Sequence, residues 1–156
     1  MASAPLLPAG LAFDAVAERF DELFDPWLSV AAQRRAVRGE LLAAFPRGAR
    51  ILEIGGGTGT DAAWLAAQER QVFLTDASPA MVELAGRKIG AANTRVLAAE
   101  DLEQLVGSNG AFDGVFSNFA ALNCVTDLAP VGRTLARLVR PGGMALLVVF
   151  GRLSPG

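Results

Sequence analysis

The 156-residue sequence contains neither histidine nor tyrosine. These two absences remove Ser/His/Asp triads, Cys/His dyads and tyrosine acid/base chemistry from what the chain can do with its own side chains. Its single cysteine, Cys124, cannot close an internal disulfide, and without histidine the usual zinc ligand sets cannot be assembled, so no metal site is expected. Cys124 reads as a small buried residue, a poor nucleophile with no histidine to activate it. Cations are not in surplus either. Fourteen basic against 16 acidic residues leave a formal charge of −2, too little to neutralise a phosphate backbone, and nucleic acid is not an expected partner. The longest uninterrupted apolar run, Met144 to Phe150, has seven residues. A membrane-spanning helix needs about 20, so no membrane is expected. No Lys or Arg precedes Gly10, and Pro5 and Pro8 break the start, which argues against a targeting segment and for a cytoplasmic location.

What is present is a hydrophobic content of 52%, enough for one domain with a single core. From Leu11 to Phe24 the apolar residues Phe13, Val16, Phe20, Leu23 and Phe24 fall at helical spacing, which predicts one amphipathic helix. Asp25 and Pro26 end it, and Pro26 is suited to the first turn of a second helix that stops before Pro46 and Gly48. After Arg50 the pattern changes to short apolar runs separated by helical stretches. Strands are predicted at Arg50–Ile54, Gln71–Thr75, Arg95–Ala98, Phe112–Ser117 and Met144–Phe150. Helices are predicted at Asp61–Gln68, Pro79–Lys88 with Ser78 as N-cap, and Leu128–Val139, ended by Arg140-Pro141-Gly142-Gly143. The alternation predicts an α/β, doubly wound, mainly parallel sheet with right-handed crossovers.

The most informative segment is Ile51-Leu52-Glu53-Ile54-Gly55-Gly56-Gly57-Thr58-Gly59-Thr60. Glycines between a first strand and a helix let the backbone turn tightly and let a ligand approach where a Cβ would clash. A tight turn that is merely glycine-rich is the plainer reading. Asp76 ends the second strand 21 positions after Gly55. An acid about 20 positions on is placed to meet nucleotide ribose hydroxyls, though Asp76 also suits a cap of the following turn. Dinucleotide binding fits less well, because the third glycine of G-x-G-x-x-G would fall at Thr60; the stricter match is G-x-G-x-G through Gly55, Gly57 and Gly59.

With Glu53 two residues ahead, this run resembles the first motif of the class I S-adenosylmethionine-dependent methyltransferases. The resemblance covers about Phe13 to Phe150. Thr75-Asp76-Ala77-Ser78-Pro79-Ala80-Met81 is similar to the family's second station, which implies Asp76 for the ribose and Ala77 and Met81 against the adenine. Ala99-Glu100-Asp101-Leu102 is similar to the third, which implies Asp101 for the adenine amino group and Leu102 as a backbone donor. Phe112–Phe119 and Leu138–Gly143 resemble the fourth-strand station and the turn into the fifth strand. The family fold implies five strands in the order 3-2-1-4-5, residues 1–48 as a helical lid, and residues 49–156 as a Rossmann-like core that holds S-adenosyl-L-methionine. Gly55, Gly57, Gly59 and Asn118 join the implied cofactor set. Glu53 has two readings, a ligand of the methionine ammonium or a brace for the loop amides. Methyl transfer displaces an excellent leaving group, so alignment and water exclusion suffice where acid/base groups are missing.

Asn118 and Phe119, after the fourth strand, are the active-site candidates for positioning a small-molecule acceptor, with Asn123 near them. The plainer reading of Asn118 is that it only satisfies loop backbone groups, and Asn123 reads better as a turn cap. Asp113 is expected to be structural. The N-terminal pair of helices either folds over the cofactor or packs on the sheet; Phe20 stands where many relatives carry tyrosine. Family members usually add two strands after the fifth, so here Met144–Phe150 would be left as an apolar edge. Either the chain is part of a longer protein, or a second chain covers that edge in a homo-oligomer. A cofactor-binding domain without chemistry, an aminopropyl transferase and a nicotinamide dehydrogenase are the rival functions, in that order.

Overall fold

The computed structural model describes residues 9–151 except 109 and 120. Five parallel strands form one sheet in the order β3-β2-β1-β4-β5, as the family resemblance implied. They are β1 (Arg50–Ile54), β2 (Gln71–Asp76), β3 (Thr94–Val96), β4 (Phe112–Ser117) and β5 (Val139–Leu147). β1 lies at the centre, with Ile51 opposite Val72 on one side and Gly114 on the other. Its run of apolar side chains is buried because helices cover both faces of the sheet.

Successive residues of a strand point to opposite faces, and two cores follow from that alternation. On one face Ile51, Leu74 and Phe116 pack with Val37 and Leu41 of α3 (Leu28–Ala44), Phe45 at its C-cap, Ala62 and Leu65 of α4 (Thr60–Ala67), and Ala85 of α5 (Pro79–Ile89). On the other, Leu52, Ile54 and Val115 meet Leu102 and Leu105 of a 3₁₀ turn (Ala99–Leu105) and Val131, Leu135 and Leu138 of α6 (Leu128–Leu138). Ser78 caps α5, its Oγ accepting from the Met81 amide at 3.1 Å, and Asp127 does the same for α6 through Ala129.

Besides β3, which runs over Thr94–Val96 rather than Arg95–Ala98, three boundaries differ from the periodicity. The single helix expected over Leu11–Phe24 is divided into α1 (Ala9–Asp14), a 3₁₀ turn (Ala17–Arg19) and α2 (Phe20–Phe24). Tertiary contacts bend it around α5. Asp14 accepts from Ser78 Oγ and the Ala80 amide, and Asp21 accepts from Thr58 Oγ1 at 2.6 Å and Lys88 Nζ at 2.8 Å. Pro26 stands outside the next helix, for which extended Trp27 is the N-cap residue. The fifth strand begins earlier than expected. Val139 pairs with Phe112, Arg140–Gly143 bulge out, and pairing resumes at Gly114↔Met144. Val148 still donates to Ser117 O beyond the strand's end. No described helix is long and apolar enough to cross a membrane.

Candidate functional site

The glycine loop leaves β1 at the carboxyl end of the sheet, beside the ends of β2 and β4, where parallel sheets of this topology bind ligands. Gly55 adopts φ +64°, and a Cβ there would lie 2.2 Å from Ala121 Cβ, so the loop and the turn after β4 touch only because a side chain is missing. Gly57, at φ +55°, has open space where its Cβ would be, on the cleft side of the loop.

Two adjoining hollows make up the cleft, and they share Phe13, Gly55, Asp76, Ala121 and Cys124. The first, about 150 Å³, is walled by Phe13 and Phe20 of the N-terminal segment, Glu53, Gly57, Met81, Asn118 and Phe119. The second, about 430 Å³, runs over Ala77, Leu97 to Asp101 and Val125. Asp76 therefore stands where an elongated ligand would cross from one hollow to the other. Its Oδ2 accepts from the Gly57 amide and its Oδ1 from the Ser78 amide, both at 2.9 Å. It caps the following turn and faces the cleft at once. Burial raises its carboxyl above the ordinary aspartate value, the two amides offset part of that, and nearby Asp14 adds to it.

Glu53 is 2% exposed. The loop amides do not use it: those of Gly55 and Gly56 donate to Thr75 O, and that of Gly57 to Asp76. Bracing the loop is thus the work of β2, and Glu53 Oε2 is buried without a partner against the first hollow. Desolvation pushes the Glu53 carboxyl well up, with Asp61 and Asp76 adding repulsion. An orphaned buried carboxyl oxygen is costly and calls for a donor or a cation.

The remaining candidates fall in several places. Met81 lines the first hollow, while Ala77 and Asp101 line the second. Leu102 is fully buried in the core beneath, and the exposed Glu100 stands at the rim beside Asp101. Gly59, at φ +78°, precedes α4 and packs against Ala85. The Asn118 amide is engaged on both ends: Oδ1 accepts from Gln33 Nε2 and the Phe119 amide, and Nδ2 donates to Asp61. Phe119 follows at φ +50°, a region few non-glycine residues occupy. Asn123 is not a turn cap. It exchanges two 3.0 Å hydrogen bonds with the backbone of Phe150 and so ties the segment after β5 to the turn after β4. Asp113 is structural as expected, accepting from the Arg50 amide and Arg140 Nε. Cys124 is exposed, contrary to expectation, because its turn (Ala121–Cys124) forms the rim where the two hollows meet and no helix covers it.

Three side chains at the site were not singled out from the sequence. Arg34 is the only basic residue lining the first hollow among the described residues; Asp61 stands beside it, and Thr58 lines the same hollow. Arg34 sits on α3, far from any motif, and only the packing of α3 beside α4 brings it in. Asp61 immediately follows the glycine loop, a signal that the spacing of glycines alone does not weigh.

Residues 51–143 match the family described as "Methyltransferase domain". The chain is 34% identical over 139 residues to a demethylmenaquinone methyltransferase of Beutenbergia cavernae, covering 88% of this chain and 56% of that protein. It is 31% identical to the biotin biosynthesis bifunctional protein BioHC of Cellvibrio japonicus, covering 87% of this chain and 27% of that one. The chain thus spans about half or less of these relatives. Among solved structures, the sugar N-methyltransferase KedS8 from Streptoalloteichus superposes with a TM-score of 0.70 over the whole of this chain and 63% of that one, at 23% identity. DhpI, solved as a complex with SAH, superposes with a TM-score of 0.61 at 26% identity, covering 88% of this chain and 65% of that one. With the match across its sheet and loop, this chain belongs to the methyltransferase domain family.

Proposed function

We propose that this chain binds S-adenosylmethionine and forms the cofactor-holding part of a methyltransferase that acts on a small molecule. The observation that carries the reading is Glu53 Oε2, buried and unpartnered beside a glycine loop that leaves backbone open to the cleft. A carboxyl in that state suits the methionine ammonium. Arg34 suits the methionine carboxylate, Asp76 the ribose hydroxyls, and the hollow over Ala77 and Asp101 the adenine, while Met81, which the sequence also offered for the adenine, closes the first hollow on the side of α5. Gly55, Gly57 and Gly59 keep the loop low enough for the ligand to lie on it. When bound, S-adenosylmethionine supplies an electrophilic methyl group on a sulfonium. The chain's own residues bind, orient and exclude water; Phe13 and Phe20 shield the first hollow, and Asn118 and Phe119 shape the wall from which an acceptor would approach.

The names of the relatives extend the reading to quinone-like or sugar acceptors, neither of which needs a nucleic acid or a membrane-spanning segment. We place the enzyme in the cytoplasm, where a lone thiol such as Cys124 stays reduced. Of the N-terminal residues expected as a lid, the described segment 9–24 acts as one over the first hollow, whereas α3 packs on the sheet as part of the core. Calorimetric titration with S-adenosylmethionine tests the proposal. The wild-type chain binds with a one-to-one stoichiometry, and Asp76→Ala weakens binding by about tenfold or more, the scale of a lost hydrogen bond to a charged group. No heat with folded protein, or an unchanged affinity in Asp76→Ala, overturns it.

A further inference from the structure

The buried carboxylate of Asp61 makes contacts that its position at the start of α4 does not require. A helix N-terminus favours an acid, but it does not explain why side chains from α3 and from the turn after β4 converge on this one. Asp61 is 5% exposed. One of its oxygens accepts from Asn118 Nδ2 at 2.9 Å, and the other faces Arg38 Nε at 3.1 Å and Arg34 Nε at 3.5 Å. Arg38 is secured a second time by stacking over Trp64, 4.7 Å from the ring centroid. Arg34 is contested: its Nη1 reaches outward to exposed Asp25 at 2.7 Å, its Nε is buried with no aligned hydrogen-bond acceptor, and its guanidinium lies 5.3 Å from the centre of the Phe119 ring.

We infer that Asp61 is a positioning residue that keeps Arg34 and Asn118 directed at the amino-acid end of the bound cofactor, and so sets the preference for ligands that carry that end. The inference rests on the cofactor reading above. Asp61 draws the root of the guanidinium inward against the pull of Asp25. Through Asn118 it also holds the Phe119 amide, and with it the left-handed backbone that forms the opposite wall. Without the carboxylate, Arg34 is left to Asp25 on the surface, and the only cation on the first hollow's wall among the described residues turns away. The adenosine end lies in the other hollow, which Asp61 does not touch.

The test compares two ligands on the full chain: S-adenosylhomocysteine, and 5′-methylthioadenosine, which lacks the amino-acid end. Asp61→Asn weakens S-adenosylhomocysteine at least tenfold and changes methylthioadenosine less than twofold, and Arg34→Gln shows the same selective loss. The double variant is no worse than the poorer single one, as expected for side chains that act as one unit. Equal losses for both ligands, additive losses, or no loss overturn the inference. Should Asp61→Asn fail to fold by circular dichroism, Arg34→Gln, which leaves the buried carboxylate with Arg38 and Asn118, decides, and an unselective effect there is equally fatal. A wild-type chain that binds neither ligand overturns the cofactor reading instead.

Discussion

On the proposed cofactor reading, Glu53 is the residue at which binding and stability oppose each other. Its carboxyl is pushed well above the ordinary glutamate value by burial first, and by Asp61 and Asp76 after that. A folded-state value above the unfolded one means that the native state holds the proton more tightly. The contribution to stability is then complete at low pH and is lost as pH rises through the interval between the two values. Glu53→Gln therefore raises the thermal midpoint at pH 7 to 8 and leaves it nearly unchanged at pH 4, while its weakening of S-adenosylmethionine is largest at high pH, where the wild-type carboxyl ionises. In the wild type, pairing with the ammonium requires the carboxyl to ionise, so affinity increases with pH and binding releases a proton. Calorimetry in two buffers of different ionisation enthalpy measures that proton, and identical heats in both buffers contradict it. The importance of Glu53 was legible in its place before Gly55, but its choice between ligand and brace was not. The brace reading fails because Thr75 and Asp76 take the loop amides, which is a fact of β2 packing beside β1.

At the scale of elements, strands and helices after Arg50 were legible because a change from period 3.6 to unbroken apolar runs marks strands buried on both faces. The N-terminal segment was not. Phe13, Phe20 and Phe24 keep helical spacing, yet Asp14 and Asp21 each find a donor on α5 or the loop, and those bonds break the helix between them. Phe13, Phe20, Phe24 and Trp27 then line up with ring centroids 4.6 to 6.1 Å apart along one side of the segment. Gly114 shows a second kind of constraint that periodicity conceals. It lies in the middle of β4, where a Cβ would come 2.2 Å from Phe45 Cε1 of the α3 terminus and 2.5 Å from the Met144 carbonyl of β5. Neither neighbour can yield freely, since Phe45 is 1% exposed and the carbonyl belongs to the sheet. Gly114→Ala is expected to destabilise the fold by about 1–3 kcal/mol, the range for overpacking a core. That lowers the midpoint by about 2–4 °C per kcal/mol for a chain of this size. A midpoint within about 1 °C of wild type, less than the smallest shift expected, refutes the requirement for bare backbone there.

For the molecule as a whole, the strand order followed from the family resemblance, and with it came the expectation of an apolar edge. β5 pairs with β4 and has no strand on its other side among the described residues. Met144, Leu147, Val149 and Phe150 are 52%, 42%, 54% and 54% exposed, a larger apolar surface than an edge strand usually presents. The net charge of −2 supplies little repulsion to keep two such edges apart. The isolated 156-residue chain is therefore expected to associate through β5, with antiparallel pairing of two edges about a twofold axis as the simplest closed arrangement. Leu147→Lys places a charge on that edge while leaving the hollows of the site untouched, because Leu147 lines neither. Light scattering across a hundredfold range of concentration should show a rising mass for the wild type and a constant single-chain mass for the variant, with S-adenosylmethionine bound equally well by both. A wild-type mass that stays at one chain throughout removes the edge as an association surface, and an association that Leu147→Lys does not reduce moves it elsewhere, to the exposed Trp27 and Leu28 at the head of α3.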